Sequence, residues 1–245
     1  MATFVLVHGG YHGGWAYRDV VQGLRSEGHD VFTPTLTGLG ERRHLLSSSV
    51  TPQVHATDLT NMLFYEDLRD VVLVGHSYGG VPITVAAGKT DRIGELIYLD
   101  AMVPKDGQCF FDLVPPEMRD YIAGMRDESS YPVVPGFEGA VPDWAAPRLT
   151  PQPASELDRP IPVSAPASAQ LPRTYLQAGK GPSMAKPGGD WVAPWFDEVQ
   201  SPPWRFTEYD GDHEVMLTDP DRLVRLLLAA VAEEPSAAQR ERRMP

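Results

Sequence analysis

Gly75-His-Ser-Tyr-Gly79 sets a serine between two glycines, directly after the apolar run Val71-Val-Leu-Val74 and ahead of a helical stretch, Val81 to Ala87. A serine hydroxyl attacks a carbonyl carbon only when it is exposed, aimed and relieved of its proton. A sharp strand-to-helix turn supplies exposure and aim, at the cost of collisions between side chains two residues either side of the serine. Gly75 and Gly79 remove those side chains, and Gly80 eases packing of the helix that follows. Ser77 Oγ then projects above the strand ends, and the helix amino terminus favours an oxyanion beside it. The predicted chemistry is nucleophilic attack by Ser77.

Such a serine needs a base and an oxyanion site. Of the seven histidines, His213 lies in Tyr-Asp-Gly-Asp-His213-Glu-Val-Met-Leu, between the last predicted strand and the last predicted helix. Functional groups of an open parallel sheet collect at the carboxyl ends of strands, so this loop is the place for a general base. His29, His44 and His55 lie in other loop or helix contexts, and His76 sits inside the turn with its ring directed away from the serine. The segment His8-Gly-Gly-Tyr-His12-Gly-Gly-Trp15 follows the first strand, and its four glycines let backbone approach a ligand closely. The Tyr78 amide, just after the nucleophile, is one expected oxyanion donor and the Gly10 amide the other, with Gly9 and His76 as further substrate-binding positions.

The elements that must hold these residues follow from periodicity. Strands are expected at Thr3 to Val7, Val31 to Pro34, Val71 to Val74, Leu96 to Leu99, Thr174 to Leu176 and Arg205 to Tyr209. Helices are expected at Trp15 to Ser26, Val54 to Phe64, Val81 to Ala87, Trp191 to Val199 and Asp219 to Glu233. This alternation predicts an α/β fold: a mostly parallel sheet of about six strands, with right-handed crossovers and helices on both faces. The stretch from 104 to 172 breaks the alternation and is rich in proline. A structureless loop of that length is improbable inside a compact domain, so an inserted cap is expected there. The core is then 1–103 with 173–233, and 234–245 a flexible tail. Phe110, Phe111, Met118, Tyr121, Met125, Tyr131, Phe137 and Trp144 are the cap residues that could wall an apolar pocket.

His8-Gly…Gly14-Trp15, Gly75-His-Ser-Tyr-Gly-Gly80 and Gly211-Asp-His-Glu-Val-Met-Leu217 resemble the α/β-hydrolase superfamily, within it the branch of plant methyl esterases and plant hydroxynitrile lyases. Bacterial relatives labelled hydrolase or esterase are similar across Thr33-Pro-Thr-Leu-Thr-Gly-Leu-Gly-Glu-Arg42 and Tyr98-Leu-Asp-Ala-Met-Val-Pro104. The resemblance covers nearly the whole chain and is weakest in the cap. It implies serine-dependent ester hydrolysis with no metal and no organic cofactor, and permits a homodimer as well as a monomer. Two departures matter. The lyases of this branch carry a lysine after the catalytic histidine, whose cation stabilises departing cyanide. Glu214 stands there and cannot, which disfavours lyase activity. The branch also takes its catalytic acid after the strand that here reads Thr174-Tyr-Leu176, where the aligned residue is Gly181. The acid is therefore Asp100, which ends a strand expected beside the serine's own, or Asp190 or Asp197 further along, or it is missing. Asp210 and Asp212, so close before His213, read as turn formers.

Composition narrows the partners. A net charge of −12 argues against nucleic acid and against anionic membrane surfaces. The single cysteine, Cys109, excludes an intrachain disulfide and a multi-cysteine metal site. No apolar run reaches about 18 residues and no basic leader precedes the first strand, so a soluble, cytoplasmic protein is expected. The expected function is hydrolysis of a small, fairly apolar carboxylic ester, aromatic esters included, with activity rising through an ionisation near the ordinary histidine value of about 6.5. A non-catalytic small-molecule receptor, or a lyase using the same pocket, is the alternative.

Overall fold

The computed structural model describes residues 1–133, 140–163, 171–188 and 190–232. Six parallel strands form one sheet in the order β2-β1-β3-β4-β7-β8. These are β1 (Thr3–Val7), β2 (Asp30–Phe32), β3 (Val71–His76), β4 (Ile93–Leu99), β7 (Arg173–Ala178) and β8 (Trp204–Tyr209), with β5 and β6 outside this sheet. β3 is buried along its whole length, as its unbroken apolar sequence requires of a central parallel strand. The chain order reverses between β1 and β3, the kind of switch point at which open α/β sheets bind ligands.

Alternation along the strands sorts their side chains to two faces. Val5, Val7, Val71 and Leu73 join a cluster with Ala56, Leu59 and Leu63 of α2 (Pro52–Tyr65) and with α3 (Gly80–Ala87). Phe4, Leu6, Val72, Val74, Ile97 and Leu99 pack on the opposite face against α1 (Arg18–Ser26) and a carboxyl-terminal helix, Pro220–Ala232. That last helix is α7; before it come α4 (Pro116–Met125), α5 (Phe196–Val199) and α6 (Val215–Thr218). Between β4 and β7 the described chain carries α4, several single turns, and the antiparallel pair of β5 (Ser130–Tyr131) and β6 (Gln152–Pro153).

Two expected elements differ. The helix expected from Trp191 is only the single turn α5, because Pro194 disfavours helical geometry at Ala193 and offers no amide of its own. The helix expected from Trp15 opens as a tight turn, Gly14–Tyr17, before α1. The expected tail, Glu233 at the end of the last expected helix, and Phe137 lie outside the described residues.

Candidate active site

The register of β3 on β4 builds the site. His76 pairs with Leu99, so Ser77 and Asp100 each stand one residue past the end of neighbouring strands. Both take left-handed backbone conformations, with φ of 53° at Ser77 and 41° at Asp100, which L-residues adopt only when their surroundings enforce it. The enforcement at Ser77 is visible in its glycines. A Cβ on Gly75 would lie 2.6 Å from the Gly79 carbonyl oxygen, and one on Gly79 would lie 2.7 Å from that of His8. The Met102 amide donates to the Ser77 carbonyl at 3.0 Å, holding the turn against the chain that leaves β4.

Asp100 is fully buried, and its amide donates to the Leu176 carbonyl of β7 at 2.7 Å. Its Oδ2 lies 2.6 Å from His213 Nδ1 and accepts from the Met184 amide at 3.2 Å. With a carboxylate on Nδ1, that nitrogen carries the proton, and Nε2 is the basic one. His213 is held a second time by His76, whose Nε2–H donates to the His213 carbonyl at 2.8 Å while the two ring centroids lie 4.5 Å apart, the planes tilted by 41°. Burial pushes the His213 pKa down, but the hydrogen bond and charge of Asp100 oppose it, joined by Glu214 and Asp212, and the net shift is upward. Burial and the neighbouring His213 hold His76 well below the ordinary value, so it stays neutral.

Asp190 and Asp197 are both exposed, and neither meets His213. Asp212 accepts from the Thr218 hydroxyl at 2.9 Å, and Asp210 pairs with Lys180 at 2.9 Å. Gly181, which the resemblance aligns with the usual acid position, lines the cavity with φ 71° and no side chain.

Ser77, His213, Gly9, Gly10, Tyr78 and His76 all line one cavity of about 460 Å³. A Cβ on Gly9 would stand 2.8 Å from His76 Nδ1 and 3.0 Å from Ser77 Cβ, so this loop can approach the serine only as glycine. The far wall is apolar: Phe110, Val114, Met118, Ile122 and Tyr131 come from the stretch between β4 and β7. Of the expected wall residues, Phe110, Met118 and Tyr131 are there. Phe111, Tyr121, Met125 and Trp144 are not among the lining residues; Trp144 packs edge-on against Trp15 at 5.9 Å. Val114 and Ile122 escape a reading that looks for aromatics and methionines, although Val114, Met118 and Ile122 are spaced at four-residue intervals. His76 lines the cavity and also holds the His213 carbonyl, a second role that its sequence context does not signal. His12, Gln152 and Glu214 near the cavity lack a sequence signal of this kind. Among the described residues, His76, His213 and Glu214 bring ligating atoms within 4.8 Å of one another; His76 Nε2 is engaged by the His213 carbonyl and His213 Nδ1 by Asp100.

The family model that matches residues 4–226 is described as the alpha/beta hydrolase family. The chain belongs to the alpha/beta hydrolase family. Among its alpha/beta hydrolase relatives is a carbendazim hydrolyzing esterase from Nocardioides sp., 36% identical over 94% of this chain and 99% of its own. An Arabidopsis thaliana pFDCC methylesterase is 27% identical, with 94% of each chain covered. Among solved structures, an extracellular alpha/beta-hydrolase from a Paenibacillus species, described as sharing structural and functional homology with tobacco salicylic acid binding protein 2, superposes with a TM-score of 0.81. It is 26% identical, and 94% of this chain and 99% of that one are covered. This alpha/beta hydrolase is a carboxylic ester hydrolase, as its full-length relatives are esterases. Among the described residues no helix is long and apolar enough to cross a membrane.

Proposed function

We propose that the chain hydrolyses small, fairly apolar carboxylic esters through an acyl-enzyme on Ser77. His213 takes the serine proton through Nε2 and returns it to the leaving alcohol, and Asp100 fixes the tautomer and stabilises the imidazolium. The Gly10 and Tyr78 amides receive the oxyanion. The stretch from 104 to 172 acts as a cap whose side chains select the acyl or alkoxy group. The wall formed by Phe110, Val114, Met118, Ile122 and Tyr131 favours an apolar substrate group beside it, because a charged group against those side chains would lose hydration. The observation that carries the reading is the 2.6 Å contact of the buried Asp100 Oδ2 with Nδ1 of His213, which lines the same cavity as the left-handed Ser77.

The test is labelling by a fluorophosphonate probe alongside turnover of p-nitrophenyl esters and of carbendazim. One probe per chain is expected, located to Ser77 by peptide mass. Ser77→Ala should lose labelling and more than about 10³-fold in kcat with its melting temperature kept, as for a triad nucleophile. Wild-type protein that binds esters but neither labels nor turns over would be a receptor instead.

A further inference from the structure

His12 and Glu214 take no part in the chemistry above, yet both are buried at the cavity, only 1% and 2% exposed. His12 Nδ1 lies 2.7 Å from the Gly10 carbonyl. A carbonyl only accepts, so Nδ1 carries a proton and donates. His12 Nε2 then faces Glu214 Oε2 at 3.4 Å. The edge of the ring away from Gly10 thus stands against the Glu214 carboxylate, both side chains being buried.

The bond to Gly10 fixes one end of a peptide whose other end is also fixed. The Tyr11 amide donates to Gln152 Oε1 at 3.0 Å, and the Thr150 amide donates to the Tyr11 carbonyl at 2.9 Å. The Gly10–Tyr11 peptide is thus pinned at its oxygen by His12 and at its nitrogen by Gln152, and Tyr11 is held at φ 66°. The pinned peptide begins at the residue whose amide is the proposed oxyanion donor. Glu214, at the other end of the bridge, directly follows His213 and starts α6, its carbonyl accepting from the Leu217 and Thr218 amides at 2.8 and 3.0 Å.

We propose that the His12–Glu214 pair is a positioning bridge that ties the oxyanion loop after β1 to the general-base loop after β8, so that the Gly10 amide and the His213 ring address the same carbonyl. The inference rests on the roles given above to Ser77, Gly10 and His213. Oxyanion donors act because they are fixed before the charge develops, and a displacement of about 1 Å can cost orders of magnitude in rate. A competing account is that Glu214 acts only through its charge on His213, which Asp100, Asp212 and the neighbouring His76 ring also face.

Four variants of the full-length enzyme separate the two accounts: Glu214→Leu, Glu214→Gln, His12→Asn, and the double His12→Asn/Glu214→Leu. Each is counted first by fluorophosphonate labelling of Ser77 and then assayed for kcat and KM on a p-nitrophenyl ester across pH. The asparagine amide can take the place of Nδ1 on Gly10 but is too short to reach Glu214. The bridge predicts that Glu214→Leu and His12→Asn each lower kcat about tenfold with KM within about twofold, and that the double variant is no worse than the worse single. Glu214→Gln should recover most of the loss, since its amide can donate to His12 Nε2. Wild-type kcat in His12→Asn overturns the bridge, and so does a Glu214→Gln as poor as Glu214→Leu with the acid limb of its profile moved down in pH. If Glu214→Leu does not fold, His12→Asn alone decides. Wild-type enzyme that does not label would instead remove the role of Ser77, an outcome distinct from labelled variants with undiminished kcat.

Discussion

Asp100 stands just past the end of the strand next to the serine's, because the β3–β4 register places Leu99 beside His76. The contact with His213 Nδ1 sets both the tautomer and the basicity of that ring. Asp100→Asn should therefore lower kcat/KM by about 10²- to 10⁴-fold, the range expected when a triad histidine is left in the wrong tautomer. The pH profile supplies the sign. In the proposed mechanism His213 must be neutral to accept the serine proton, so activity should rise with pH through its ionisation. Its pKa is lifted above the ordinary value, which places the wild-type limb above about 6.5 rather than at it. Removing the charge that opposes burial moves the limb to lower pH. A variant within about threefold of wild type, with its limb unmoved, would remove Asp100 from the site.

At the scale of elements, the strand-turn-helix unit of β3 and α3 is specified by exclusion. A Cβ on Gly79 would press on two backbone carbonyl oxygens, 2.7 Å from His8 and 2.8 Å from Val7, neither of which can swing aside as a side chain could. Gly79→Ala should cost about 1–3 kcal/mol of stability, typical of overpacking, and register as a melting temperature several degrees lower. An unchanged melt would mean that β1 shifts freely beneath the turn. The same steric logic makes this unit legible in the sequence: Gly75, Gly79 and the apolar run of β3 fix a strand, a turn and a helix by local rules. The six-strand alternation was legible for a similar reason, since each strand and helix announces itself within a few residues. Asp100 could be nominated because it ends a predicted strand, but choosing it over Asp190 needed the β4–β7 pairing, a long-range fact. Ile122 is in the cavity wall because of the face that α4 turns to it, Val114 joins it from the chain just before that helix, and no pattern within Pro116–Met125 says which side faces a ligand. Glu214 and His12 meet across about 200 residues of sequence, and nothing local to either forecasts the other.

The whole molecule depends on buried histidines that must stay neutral. His8 Nδ1–H donates to the Gly9 carbonyl at 2.8 Å, and its Nε2 accepts from the Leu36 amide at 3.0 Å. His55 Nε2–H donates to the Thr37 carbonyl at 2.8 Å, and its Nδ1 accepts from the Tyr78 hydroxyl at 2.9 Å. In each ring one nitrogen is an acceptor in use, so a second proton would set donor against donor. These rings join β1 to the loop after β2 and join α2 to the serine turn. Burial drives the His8 pKa to about 3 and that of His55 to about 4, and holds His76 low as well. The unfolded chain protonates these rings near the ordinary value of about 6.5, so it binds more protons than the folded chain below that pH. Their stabilising contribution is complete above about 6.5 and is lost as pH falls toward the folded values, on the order of 1–2 kcal/mol per ring by about pH 5. Two other charge effects do not account for such a loss. The net charge of −12 shrinks on acidification, which relieves self-repulsion and favours the fold. The surface carboxylates Asp67, Asp127, Asp210 and Asp219 have lowered pKa values and are still ionised at pH 5. Urea unfolding should therefore give a lower midpoint at pH 5 than at pH 7.5. His55→Gln, whose amide can still donate to Thr37, should be weaker at pH 7.5 but lose less on acidification. Equal midpoints at the two pH values in the wild type would contradict a neutral, acceptor-locked set of rings.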